Sequence, residues 1–249
     1  MTSPAPALVL SPHLDDAVLS ASSRLAAGAH VVTVFAGIPP EDVPRGDWDV
    51  LTGARSAAER VRERRAEDVA AMAVFPASFE HWDFLDGQHR REAADVAAIA
   101  ARIRPLLDSA TELWAPAGIV HPDHAAVSDA ARAAAAEIGL EAVTLYADVP
   151  HAIPYGWPES VSGEPDPPFL DRGAWLERQL EGRGLGPGAL DRRVIRLDDP
   201  TLALKRRALL AYPTQLPAVG MDASGISRSP SLIRFEVGWT ASPRDLRSR

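Results

Sequence analysis

The sequence predicts an α/β fold with a largely parallel sheet, helices on both faces and a loop-rich C-terminal elaboration. Two observations carry this prediction. Short buried-looking apolar runs alternate with helical stretches through the first 150 residues. Clusters of ionisable residues follow two of those runs directly, where strands of such sheets end and ligands bind.

ALVLSPH (7–13) reads as the first strand, and AVLSASSRLAAG (17–28) as a small-residue helix stopped by Gly28. HVVTVFAG (30–37) is β-branched and reads as the second strand. Residues 38–54, rich in Pro, Gly and Asp, read as a loop long enough to be functional. Residues 55–75 read as a helix with Ala66, Val69 and Ala73 on one face. FEHWDF (79–84) is a strand, 91–108 a helix, ELWAPAG (112–118) a strand, 124–138 an Ala-rich helix and AVTLYADV (142–149) a strand. This alternation implies a Rossmann-like sheet whose strand C-termini share one rim.

After Pro150 the organisation changes. Residues 150–190 are crowded with Pro and Gly, with one short helix over Trp175–Leu180. RVIRL (193–197) reads as a strand, TLALKRRALLAY (201–212) as a helix and SLIRFEVGW (231–239) as a late strand. With no repeat and no linker, one domain is expected over 1–249: a core at 7–150, a rim elaboration at 151–239 and a frayed tail at 240–249.

Composition narrows the function. With 46% hydrophobic and 24% charged residues, the chain is that of an ordinary globular protein. No apolar run reaches the roughly 20 residues of a membrane span, and the N-terminus lacks a basic leader. A net charge of −8 argues against nucleic acid or an anionic membrane as partner. Cysteine is absent, which removes disulfides, thiolate metal sites and Cys nucleophiles. The only lysine, Lys205, follows no Gly-rich loop, so Walker-type chemistry is excluded too. A cytoplasmic enzyme is the expectation.

The first ionisable cluster is Pro12-His13-Leu14-Asp15-Asp16; the second is His121-Pro122-Asp123-His124. The topology brings both to one rim. Imidazole and carboxylate donors without thiolates suit Zn²⁺ or another first-row divalent ion, with a spare carboxylate as general base and a spare histidine as acid or electrophile. The plain structural alternative is that both are loop clusters, with Asp16 and Asp123 serving as helix N-caps.

The two clusters resemble the H-x-D-D and HPDH motifs of the PIG-L/LmbE-like metal-dependent deacetylases, with Leu14 where that family usually has proline. Arg64 to Asp68, Asp86-Gly87, Leu145-Tyr146 to Pro150, and Lys205 with Tyr212-Pro213-Thr214-Gln215 resemble further family elements. The resemblance implies a zinc-dependent N-deacetylase, with Fe²⁺ or Co²⁺ as other metals. It implies His13, Asp16 and His124 as metal ligands and Asp15 as the general base acting on the metal-activated water. His121 would protonate or hydrogen-bond the intermediate, and Asp123 would orient His121. It makes Arg64 and Asp86 contacts to sugar hydroxyls. The implied substrate is a small molecule carrying an N-acyl amino sugar, handled by a possible homo-oligomer.

Tyr212 and Gln215 are expected to brace the rim, Trp157 and Trp175 to anchor loops, and His30, His81 and His89 to be structural. His151, in a Pro-rich rim loop, is the further candidate for substrate contact. Three rival readings are weaker. A phosphoesterase with two metals would want more carboxylates. A dinucleotide enzyme would carry G-x-G-x-x-G after the first strand, where SPHLDD stands. A sugar- or metal-binding module would not need Asp15 or His121.

Overall fold

The computed structural model describes residues 6–140, 142–185, 190–221 and 230–241. Strands β1 (Leu8–Ser11), β2 (His30–Thr33), β3 (Ser78–His81), β4 (Leu113–Pro116) and β5 (Val143–Tyr146) are all parallel. Between them lie α1 (Asp16–Ser20), α2 (Ser22–Ala26), α3 (Asp47–Leu51), α4 (Ala57–Met72), α5 (Val96–Leu107) and α6 (Pro122–Ile138). Beyond β5 follow α7 (Glu159–Ser162), α8 (Arg172–Gly182), β6 (Asp191–Arg196), α9 (Asp199–Leu209), α10 (Ser231–Arg234) and β7 (Phe235–Ala241).

The strand order is β3-β2-β1-β4-β5-β7-β6. The chain steps outward from β1 through β2 and β3, then returns to the other side of β1 for β4 and β5. With right-handed crossovers, that reversal sends α1, α2 and α4 to one face and α5 and α6 to the other. Packing agrees: α5 lies against α6, and α9 against α1, α2 and α4. β1 and β4 are buried along their whole length, as parallel strands covered on both faces are. The reversal falls between them, so a crevice opens beyond their C-terminal ends.

Several elements differ from expectation. The helix predicted over 17–28 breaks at Ala21 (φ −139°), giving α1 and α2. At the break Ser22 Oγ donates to Val18 O at 2.6 Å, so a hydroxyl takes the carbonyl that the backbone ladder would use, while Ser20 Oγ accepts from Val149 N and ties the end of α1 to the segment after β5. The 38–54 loop contains α3. In α4 the face of Ala66, Val69 and Ala73 is the exposed one. Its buried face carries Arg60, Arg64 and Asp68 beside Val61 and Met72. Alanine, with little surface to bury, was a poor marker, and the charged residues are buried because they are paired. Arg64 faces Asp86 at 3.5 Å, and Asp68 accepts from Tyr212 Oη at 2.6 Å.

The segment after 150 does more than decorate the rim. β7 pairs antiparallel with β5, β6 antiparallel with β7, and α9 covers the α1/α2 face. The late strand begins at Phe235, after α10, and runs past the expected boundary at 239: Thr240 and Ala241 pair with Thr144 and Val143. The remainder of the predicted frayed tail, 242–249, lies outside the described residues. Among the described residues no helix is long and apolar enough to cross a membrane.

Candidate active site

At the end of β1, Ser11 Oγ donates to His13 O (2.7 Å) and accepts from Ala17 N (3.0 Å), tying the turn shut. The tie leaves Asp15 at φ 145°, a left-handed conformation that a non-glycine residue holds at a cost. Asp15 precedes α1 yet makes no capping hydrogen bond, so its carboxylate is not committed to the helix end. Asp16 Oδ2 instead accepts from His13 N at 2.8 Å. At the end of β4 the turn passes through Gly118 and Val120, both at positive φ, and delivers His121 as the N-cap of α6. Neither Asp16 nor Asp123 is the helix cap that the plain structural reading made it.

The two turns meet over the switch point. His13, His121 and His124 have ring centroids 4.9 to 5.3 Å apart. His124 donates through Nδ1 to Asp148 Oδ1 at 2.8 Å, and Asp148 is itself fixed by Ile119 N at 3.0 Å. His124 Nε2 then lies 3.2 Å from Asp16 Oδ2 but is not aligned for a hydrogen bond, and it is buried with no other partner. His13 repeats the pattern: Nε2 donates to Asp123 Oδ2 at 3.0 Å, leaving Nδ1 3.5 Å from Asp16 Oδ2. Each imidazole is thus oriented by one carboxylate and turns its other nitrogen toward Asp16, the arrangement of carboxylate–histidine–metal sites. Nitrogen and oxygen donors without sulfur fit a divalent first-row ion here. His13, His121 and His124 also bring one nitrogen each within 4.8 Å of the others, as do the donor atoms of His13, Asp86 and Asp123.

Electrostatics agree. Burial alone would lower His13 and His124, but the surrounding carboxylates (Asp86, Asp123 and Asp16; Asp16 and Asp148) push them up to about 9 and about 10. Burial would raise Asp16, yet His124 and His13 hold it well below the usual carboxylate range. Carboxylates that hold protons on two imidazoles so firmly would hold a divalent cation in their place. Asp15 is pushed up to about 7 by burial and by Asp16 beside it. His121 is pushed down to about 4 by burial, then by His13 and His124.

Asp123 departs from the role the resemblance implied. Its carboxylate accepts from His13, from Gly87 N at 2.8 Å and from Arg90, and these contacts, against the effect of burial, hold it well below the usual range. His121 receives only the backbone N–H of Asp123, at Nδ1 (3.2 Å). Arg64 and Asp86 are buried together in the wall, and Asp86 Oδ1 also accepts from Gln88 N. The cavity has a volume of about 820 Å³ and reaches Trp48, His151 and Gln215. Tyr212 braces α4 through Asp68, while Gln215 both braces and lines the cavity. His30, His81 and His89 each have a partner, Ser78, Asp68 and Asp49. Trp157 anchors its loop on Leu232 O, and Trp175 packs on Tyr155. Sequence reasoning missed Asp148, Arg90 and Trp48. Only Asp148 carried a signal, its place just after a strand end on the site rim.

An open α/β sheet with a histidine–carboxylate cluster at its switch point defines a ligand-binding or catalytic protein of the doubly wound class. Residues 8–135, more than half of the chain, match the PIG-L family model, described as GlcNAc-PI de-N-acetylase. The chain belongs to the PIG-L family. No curated protein shows a significant sequence match. Among solved structures, a deacetylase of the teicoplanin biosynthesis pathway is 25% identical with a TM-score of 0.70, over 94% of this chain and 97% of that one. The deacetylase of the antimicrobial reagent A40926 pseudoaglycone is 25% identical with a TM-score of 0.66, over 99% and 100%. The fold is shared with N,N'-diacetylchitobiose deacetylase from Pyrococcus horikoshii, 14% identical with a TM-score of 0.56 over 97% and 85%.

Proposed function

We propose that the protein is a divalent-metal-dependent N-deacetylase, zinc being the metal the donors suit best, that removes an acyl group from the amino sugar of a small glycosylated molecule. One observation carries the reading: His13 and His124, each oriented by its own carboxylate, both turn a nitrogen toward Asp16. Similarity to a deacetylase of the teicoplanin biosynthesis pathway and to the A40926 pseudoaglycone deacetylase supports an N-acyl group on a small molecule as the substrate. Fe²⁺ or Co²⁺ would satisfy the same ligands.

His13, Asp16 and His124 would hold the ion, with Asp123 and Asp148 positioning the two imidazoles. When bound, the metal supplies Lewis-acid polarisation of the amide carbonyl and acidifies water. Asp15, raised to about 7, is basic enough to take the proton of the attacking water and acidic enough to pass it to the departing amine. Neutral His121 accepts the Asp123 N–H at Nδ1, so its own proton sits on Nε2, from which it donates to the developing oxyanion. Arg64, whose buried Nε has no hydrogen-bond partner, and Asp86 offer donors and acceptors for sugar hydroxyls. The net charge of −8 disfavours nucleic acid or an anionic membrane as partner and accords with a small-molecule substrate.

The test is metal content of the purified protein beside a His13→Ala/His124→Ala variant, with amine release from N-acetylglucosamine glycosides. About one ion per wild-type chain, lost in the variant together with amine release, is expected. A wild-type protein that takes up no Zn²⁺ and releases no amine overturns the reading.

A further inference from the structure

We propose that Trp48 is a specificity-determining residue: a fixed indole wall on which an aromatic group attached to the amino sugar stacks. For the reaction this rests on the deacetylase reading; for binding it stands alone. The floor of the cavity is charged or imidazole, and among the described residues Trp48 is the one aromatic side chain other than histidine that lines it. Leu19, Pro150 and Val219 add apolar surface to the same cavity.

The indole is held from both sides. Its Nε1 donates to Gln215 Oε1 at 2.6 Å, which satisfies its only polar atom and leaves carbon surface to face a ligand. Gln215 is buried, its Nε2 donates to Thr214 Oγ1 at 2.9 Å, and Thr214 donates from Oγ1 and N to Glu67 on α4 at 2.8 and 3.0 Å. On the other side α3 is pinned through the buried Asp49, which accepts from Gly46 N at 3.0 Å and His89 Nε2 at 2.7 Å. A half-buried aromatic ring fixed at this many points loses little freedom when a ligand stacks on it. A cavity of about 820 Å³ also lies near the upper end of the range for drug-sized ligands, so it has room for an aromatic substituent.

The experiment is calorimetric titration with p-nitrophenyl and methyl β-glucosaminide, run on wild type, Trp48→Phe, Trp48→Leu and Trp48→Ala. Circular dichroism checks that each variant is folded. Wild type and Trp48→Phe are expected to bind the aryl glycoside roughly 10-fold more tightly than the methyl one, and Trp48→Leu and Trp48→Ala to lose that preference. In turnover of p-nitrophenyl N-acetylglucosaminide, Trp48→Leu should raise KM with kcat little changed. No aryl preference in wild type, or the same preference in a folded Trp48→Leu, overturns the platform. Aryl preference without amine release overturns the deacetylase reading and leaves the platform. Amine release with KM indifferent to Trp48 does the reverse.

Discussion

His124 sits between two carboxylates: Nδ1 donates to Asp148 at 2.8 Å, and Nε2 faces Asp16 at 3.2 Å. Asp148 comes from the end of β5, outside the residues 8–135 that match the family model. Asp148 therefore sets the direction of the nitrogen that, on the proposed function, would ligate the metal. Asp148→Ala is expected to weaken Zn²⁺ binding by about 10- to 100-fold. Competition with a chromophoric chelator measures this; unchanged affinity would mean that packing alone orients the ring.

Asp15 joins two properties that can be separated by mutation. Asp15→Asn should keep the metal and lower kcat by about 10²- to 10⁴-fold. Asp15→Gly should lose the same activity yet melt higher than wild type. Its φ of 145° costs an L-residue about 1–3 kcal/mol, and glycine is free of that cost. At about 2–4 °C per kcal/mol for a chain of this size, calorimetry would resolve the rise. Glycine's own loss of freedom on folding offsets about 0.5–1 kcal/mol of this gain, so a Tm below wild type would put the strain at Asp15 under that figure.

Lys205 is fully buried, donates to Leu19 O at 2.7 Å and lies 3.5 Å from Glu236. Lys205→Met leaves Glu236 buried without a cation and should cost about 3–5 kcal/mol in denaturant unfolding. The double variant Lys205→Met/Glu236→Leu should recover much of that loss. Burial, against the pull of Glu236, holds the ammonium below its ordinary 10.5, so the folded chain releases this proton before the unfolded one. Relative to the double variant, wild type should therefore gain stability as pH rises from the folded-state pKa toward 10.5, and lose it as pH falls back through that pKa. A flat difference across alkaline pH would contradict the lowered pKa.

Metal removal should act on stability as well as turnover. Chelator-treated protein should release no amine, and adding back Zn²⁺ at 100 times its Kd should restore about 2.7 kcal/mol of stability. A melting curve unmoved by Zn²⁺ would mean that the native state does not bind it.

The parts of this molecule legible in the sequence are those encoded locally. His13, Asp15 and Asp16 are close neighbours at one strand end, and His121 and His124 stand at another, so knowing that the sheet reverses between β1 and β4 is enough to bring them together. What escaped notice is held by distant partners. Trp48 is tied to Gln215 across 167 residues with no local pattern to announce the bond, and His124 to Asp148 across 24 with only a strand end near Asp148 as a signal. Ala66 and Ala73 have helical spacing but little surface to bury, and Val69 between them stands exposed, so periodicity chose the solvent face of α4. The expectation that Asp123 orients His121 differs from the geometry for a related reason: its carboxylate has partners on two distant segments, at His13 after β1 and at Gly87 and Arg90 after β3.

β7 lies inside the sheet although, among the described residues, it is the last strand in chain order. β6, with four exposed charges in Asp191, Arg192, Arg193 and Arg196, has β7 as its one strand partner among the described residues and so waits without a paired strand until β7 emerges. Its charges keep that waiting edge from pairing with other chains. A chain cut or stopped before Phe235 would thus lose the pairing of two strands rather than one and bare the edge of β5, turning the loss of one strand into an aggregation hazard for the nascent protein.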